Sequence, residues 1–227
     1  PFHTWLPDTM GAPTPVSALM HAGIINGGGY LVVRLSPVLV HTPSALHMLA
    51  IVGALTAVYA SMVMLSQTSV KRALAYSTIA QMGFMLLQCG LGAFHLAVLH
   101  LVAHSLYKGH AFLSCGSAVE TAKKLNAKPH YAQLKPSRIW LAIGISFAIV
   151  LGLSIPFNVS PSDKPGMLVL SMVLVMALTQ LLWTAMRRGQ SGIAFAGTTG
   201  VAGSIAVLYY LLAMVAEMML SSVVPAK

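Results

Sequence analysis

The sequence predicts an all-α, polytopic transmembrane helical bundle, on three observations. Of the 227 residues, 57% are hydrophobic and only 7% are charged, whereas soluble domains carry about 25% charged residues. Mean hydropathy is +0.80. Several apolar runs reach the ~20 residues needed to cross a bilayer. A transmembrane β-barrel would instead show short segments of alternating hydrophobicity.

About seven spans follow in order. The first, about Val16–Leu35, carries His21 and comes after the turn Ala12-Pro13-Thr14-Pro15. Its two prolines favour an extended or irregular start before the helix. Gly27-Gly28-Gly29 lies inside this span with no strand before it, so it suits close helix approach or a local bend rather than phosphate binding. The second span, about Leu46–Leu65, is the cleanest apolar run. The third, about Ala73–Leu91, holds Tyr76, Ser77, Thr78, Gln81 and Gln88. The fourth is about Phe94–Val119, the fifth about Ile139–Ile155 and the sixth about Met167–Met186. The seventh, about Ile193–Leu220, contains Glu217 and is long enough to tilt or to fray at its start.

The charges between spans set an orientation. Lys71 and Arg72 follow the second span, Lys123, Lys124, Lys128, Lys135 and Arg138 the fourth, and Arg187 and Arg188 the sixth. The intervening loops hold only Lys164, beside Asp163. Every second loop is therefore basic and expected to be cytoplasmic. The net charge of +9 reflects this topology and is no nucleic-acid signal. Cys89 and Cys115 both sit in apolar runs and suggest neither a disulfide framework nor a metal site. The chain opens on Pro1 with no initiator Met and no cleavable signal, which reads as a piece of a longer protein.

The candidate chemistry lies on the fourth span. His100, His104 and Lys108 stand at i, i+4 and i+8, and His110 follows. At 100° per residue the first three form one slowly drifting stripe. A charge inside a span costs roughly 2.5–3.5 kcal/mol on insertion scales, so such a row faces protein or water and marks a candidate proton path. Buried lysine loses its preference for charge, and histidine titrates near neutrality. The opposing reading is a snorkelling Lys108 with hydrogen-bonded structural histidines. Zinc sites need three or four ligands, and no Asp or Glu accompanies His100 and His104, so no metal and no cofactor is expected. His21 suits a structural hydrogen bond and a relay equally. Lys71 reads as a flanking charge, and Tyr76 as either a water holder or a packing residue. Glu217 is the acid inside a span, near the outer interface or paired with a partner subunit.

Three blocks carry a resemblance. Phe2-His3-Thr4-Trp5-Leu6-Pro7-Asp8 with Ala12-Pro13-Thr14-Pro15-Val16-Ser17-Ala18-Leu19-Met20-His21-Ala22 is the first. Val70-Lys71-Arg72-Ala73-Leu74-Ala75-Tyr76-Ser77-Thr78 with Gln81-Met82-Gly83 is the second, and the row His100, His104, Lys108 is the third. Together they resemble the antiporter-like proton-translocating subunits: complex I subunit L or 5, the corresponding Mrp sodium/proton antiporter subunit, and the DabB subunit of inorganic-carbon pumps. The resemblance implies a partial antiporter-like fold and a hydrated axis along the membrane midplane. It makes Lys108, His104, His100 and His21 relay groups, with Lys71 at the edge of the path and His110, Tyr76 and Glu217 secondary. The family's later lysine has no counterpart in spans five and six. That departure, with Met20–Tyr30 and Gln88–Phe94, resembles DabB more than a complex I subunit. The implied partners are membrane lipid and DabA, a zinc protein similar to β-carbonic anhydrases, or alternatively other complex I or Mrp subunits.

Residues 1–120 thus carry the proton-translocating core, 121–138 a basic cytoplasmic connector, and 139–227 a divergent set of C-terminal membrane helices. By that resemblance the expected role is a multi-pass, proton-conducting subunit of an energy-coupled inorganic-carbon (carbon dioxide or bicarbonate) uptake complex in the bacterial inner membrane, without covalent catalysis of its own. The alternatives are a subunit of NADH-quinone oxidoreductase, a sodium/proton antiporter subunit, or a non-conducting scaffold for a cytoplasmic enzyme.

Overall fold

A computed structural model describes residues 3–124, 137–157, 165–188 and 192–222. Ten α-helices are described, α1 Trp5–Asp8, α2 Thr14–Ala22, α3 Gly27–Arg34, α4 Ser36–Leu39, α5 Pro43–Leu65, α6 Val70–Gly90, α7 Phe94–Lys124, α8 Ser137–Ser154, α9 Pro165–Arg187 and α10 Gly192–Leu220. Short 3-10 turns at Thr9–Gly11 and Ile24–Asn26 complete the described elements. These residues contain no strand, in line with the all-α expectation.

Helical segments stand at all seven expected positions, and four are long and apolar enough to cross a membrane: Thr14–Arg34, Pro43–Leu65, Gly166–Arg187 and Gly192–Leu220. The expectation of seven spans is therefore met by four on length and apolarity. Arg138–Ser154 is apolar but shorter. At 21 and 31 residues, α6 and α7 are long enough. Their polar side chains lower their average hydropathy, and many of these turn inward. Most of the basic connector, and the pair Asp163 and Lys164, lie outside the described residues.

The first expected span is not one continuous helix. The chain leaves α2 at Gly23, passes through the 3-10 turn and restarts as α3 at Gly27. The bend thus sits just before the Gly27-Gly28-Gly29 run. Gly29 serves close approach instead: a Cβ there would collide with the Met85 side chain of α6.

Two compact units divide the described residues. The first holds α1–α7 and the end of α10. Its backbone is the α5–α6 pair, which approaches at glycines. A Cβ on Gly53 would lie 2.5 Å from the Leu87 amide, and one on Gly83 2.7 Å from the Ala57 amide. Small residues let membrane helices touch backbone to backbone, where van der Waals packing replaces the missing hydrophobic drive. The turn from α6 into α7 passes through Gly92 at φ 76°, a left-handed conformation that only glycine adopts freely.

The unit's core is a set of apolar clusters. Val33, Leu46, Met85, Cys89, Phe94 and Ala97 form one, and Met10, Ala18, Ala75 and Phe112 another. The second unit holds α8, α9 and most of α10. It buries Ala142, Val150, Leu178, Leu182 and Ala206. Inside it the Ser171 hydroxyl is hydrogen-bonded to the Tyr210 hydroxyl at 3.0 Å, and Phe157 stacks on the Tyr210 ring.

Candidate functional site

Three helices build the site. The proline turn sets α2: Ala12 and Pro13 are extended, at ψ 153° and 150°, and Pro15 stands in the first turn, where its missing N–H costs nothing. The helix then buries Ser17, Ala18 and His21 on one side. α6 buries Ala75, Thr78 and Ile79 in its N-terminal half. α7 presents His104, Lys108 and Phe112, spaced four residues apart, all buried.

Lys108 is 0% exposed, which excludes the snorkelling alternative. Its ammonium donates to the Ser77 hydroxyl and, at 3.4 Å, to the Leu74 carbonyl. Both partners are neutral oxygens. The Leu74 carbonyl also accepts from Ser77 Oγ at 2.9 Å and from Thr78 Oγ1 at 3.1 Å. One backbone oxygen on α6 is thus shared by three side chains.

Thr78 continues the chain of polar contacts to His21. Its hydroxyl lies 3.1 Å from His21 Nδ1. A hydroxyl has one proton. Given to Leu74, that proton leaves His21 Nδ1 as the donor and Nε2 with a free lone pair. His21 is 0% exposed and stacks on Phe112, with ring centroids 4.4 Å apart. Its Nε2 has no hydrogen-bond partner among the described residues.

The row continues along α7. His104 is 1% exposed, and neither of its ring nitrogens has a partner among the described residues. The His100 ring is centred 6.0 Å from that of His104. His100 Nδ1 meets Gln88 Oε1 of α6 at 3.1 Å. Buried polar atoms in proteins are generally bonded to protein or ordered water. The Leu74 carbonyl only accepts, so Ser77, Leu74 and Thr78 fix Lys108 and His21 in place without forming a proton wire between them, and no direct hydrogen bond joins His100, His104 and Lys108 to one another among the described residues.

The remaining sequence candidates take other places. Lys71 stands in the first turn of α6, half-buried, and donates to the Ala12 carbonyl of the proline turn at 2.9 Å. It is a tie between two elements and not merely a flanking charge. His110 is exposed and 3.5 Å from Ser114. Tyr76 packs against the cluster of Leu6, Ala60 and Ile79. Glu217 is half-buried in the last turns of α10. Among the described residues no three His, Cys, Asp or Glu side chains converge as metal ligands.

The residue that sequence reasoning passes over is Asn26. It is buried, and it donates to the Ala22 carbonyl at 2.7 Å and to Ser105 Oγ at 2.8 Å. An amide side chain inside an apolar span is the signal that could have found it.

Comparison with known proteins adds the frame. The family model described as NADH:quinone oxidoreductase/Mrp antiporter, TM, matches residues 1–191. The chain is 43% identical over 223 residues to the probable inorganic carbon transporter subunit DabB of Hydrogenovibrio crunogenus, covering 98% of this chain and 42% of that one. It is 50% identical over 159 residues to the probable inorganic carbon transporter subunit DabB1 of Halothiobacillus neapolitanus, covering 66% and 28%. To the NADH-quinone oxidoreductase subunit L of Rhodobacter capsulatus it is 39% identical over 163 residues, covering 68% and 22%. The chain thus spans less than half the length of these relatives. A helical membrane architecture, a buried Lys/His row and a family match over most of the sequence agree: the chain belongs to the antiporter-like membrane-subunit family of NADH:quinone oxidoreductases and Mrp antiporters.

Proposed function

We propose that this chain is the proton-conducting part of a DabB-like subunit, which couples proton movement across the membrane to uptake of carbon dioxide or bicarbonate. One observation carries the proton path: a fully buried lysine, Lys108, held by neutral oxygens one helical turn from His104, whose ring nitrogens, like His21 Nε2, have no partner among the described residues. A lysine held by neutral oxygens can exist with or without its proton, whereas one locked to a carboxylate is held charged. Lys108 is the central titrating group. His104 and His100 carry the proton along α7 through water, His21 carries it into α2, and Lys71 lies at the edge of the path.

The inorganic-carbon half rests on the names of the two DabB relatives and on the lack of a lysine in spans five and six. The carbon chemistry belongs to a zinc partner of the DabA kind. The similarity to subunit L favours a second reading, a proton-pumping component of an NADH-quinone oxidoreductase.

Growth separates the two. The full-length protein is co-expressed with its carbonic-anhydrase-like partner in cells lacking carbonic anhydrase and scored in ambient air. Rescue that vanishes with an uncoupler, and with Lys108→Ala, supports the carbon-uptake reading. No rescue, with both proteins present in the membrane, rejects it and leaves the oxidoreductase reading, whose own test is NADH-dependent proton pumping.

A further inference from the structure

We infer that Asn26 is a positioning residue of this relay: it bridges the break between α2 and α3 to α7 and so sets how His21 and His104 face each other. The inference rests on the relay reading above and adds a residue which that reading does not use.

In an unbroken helix the Ala22 carbonyl would accept from the amide of residue 26. Here that amide bonds the Gly23 carbonyl at 3.1 Å instead, closing a 3-10 turn. The Ala22 carbonyl is left without its helical donor at membrane depth, where an unsatisfied backbone group is costly. The Asn26 side chain supplies the donor, at 2.7 Å. One side-chain nitrogen thereby replaces the missing turn.

The same nitrogen reaches across to Ser105 Oγ at 2.8 Å, and Ser105 is anchored by donating to Leu101 on its own helix at 2.9 Å. Ala22 immediately follows His21, and Ser105 immediately follows His104. A single buried amide therefore bridges the residue after one imidazole to the residue after the other. Asn26 Oδ1 is buried with no partner among the described residues, so the side chain is not held by a wider network; its two donor contacts fix it. Small shifts in donor–acceptor geometry change transfer rates steeply, so loosening this bridge should slow the relay without unfolding the bundle.

Two substitutions separate the bridge from the backbone cap. Serine can satisfy the carbonyl four residues before it but reaches no further, so Asn26→Ser keeps the Ala22 cap and loses the bridge. Ser105→Ala removes only the acceptor and leaves the cap untouched. Each is made in the full-length protein, assembled with its partner and reconstituted in liposomes with a trapped pH dye. Proton flux is followed across a range of pH beside wild type and Lys108→Ala. The groups whose titration shapes that profile are His21 on α2 and His100, His104 and Lys108 on α7; α6 faces them with the neutral Ser77, Thr78 and Gln88.

The expected result is flux lowered about tenfold in both variants, a displaced midpoint of the flux–pH profile, and a double variant no worse than either single one, all with wild-type assembly and melting temperature. Wild-type flux and midpoint in both single variants, while Lys108→Ala is inactive, would overturn the role of Asn26 and leave the relay standing. Additive losses in the double variant would also overturn it, because two ends of one bond cannot be lost twice. Full flux in Lys108→Ala would remove the relay reading itself.

Discussion

Both units of the molecule bury polar side chains in membrane-type helices, yet they do so differently. In the second unit the buried pair is Ser171 and Tyr210, two hydroxyls that satisfy each other. In the first, the buried groups are Lys108, His104 and His21, all able to gain and lose protons, and several of their nitrogens lack a protein partner among the described residues. Buried polarity alone therefore marks no function. A closed pair of hydroxyls is glue between helices, worth about 0.6 kcal/mol on average in a membrane. A row of titratable groups left open at its nitrogens is a candidate conductor.

The contrast is tested most strongly at Lys108. Lys108→Ala is expected to reduce proton flux in reconstituted liposomes by roughly 100-fold or more, the scale of losing a positioned acid–base group. Lys108→Arg sharpens this: arginine keeps the charge but does not release its proton, so flux should stay as low as in Lys108→Ala. Recovery with arginine would show that charge, not proton exchange, is what the site needs.

Next in size is His21→Phe, which keeps the stack on Phe112 and removes the bond to Thr78. Flux should fall about tenfold or more, with melting of the purified complex close to wild type. A smaller functional effect is expected at the α5–α6 contact. Gly83→Ala places a methyl against the Ala57 backbone, and overpacking of this kind costs about 1–3 kcal/mol; a lowered melting temperature with flux per assembled complex unchanged is the expected signature. Smallest is Tyr210→Phe in the second unit, which should cost about 0.6 kcal/mol and leave flux untouched. A flux defect there would erase the distinction between the two units.

Much of this is legible in the sequence, for physical reasons. Membrane helices must be long and apolar, so their positions follow from composition. His100, His104 and Lys108 declare a shared face because four-residue spacing is nearly one helical turn. Contacts between distant segments are not written in spacing. Nothing local shows that Lys71 caps the Ala12 carbonyl 59 residues away, or that Ser77 and Thr78, rather than Tyr76, face Lys108 and His21. Three consecutive glycines suggest close helix approach or a bend at Gly27-Gly28-Gly29; Gly29 does meet Met85 of α6, while the first span breaks just before the run. The chain turns at a single glycine, Gly23, where Asn26 can replace the lost helical donor.

The most direct test of the central claim measures proton flux through the full-length, partner-assembled protein in liposomes, comparing wild type, Lys108→Ala and Lys108→Arg at matched assembly. Uncoupler-sensitive flux in wild type and none in either variant is the expected result. Flux in either variant equal to wild type would contradict the claim that the buried lysine carries the proton.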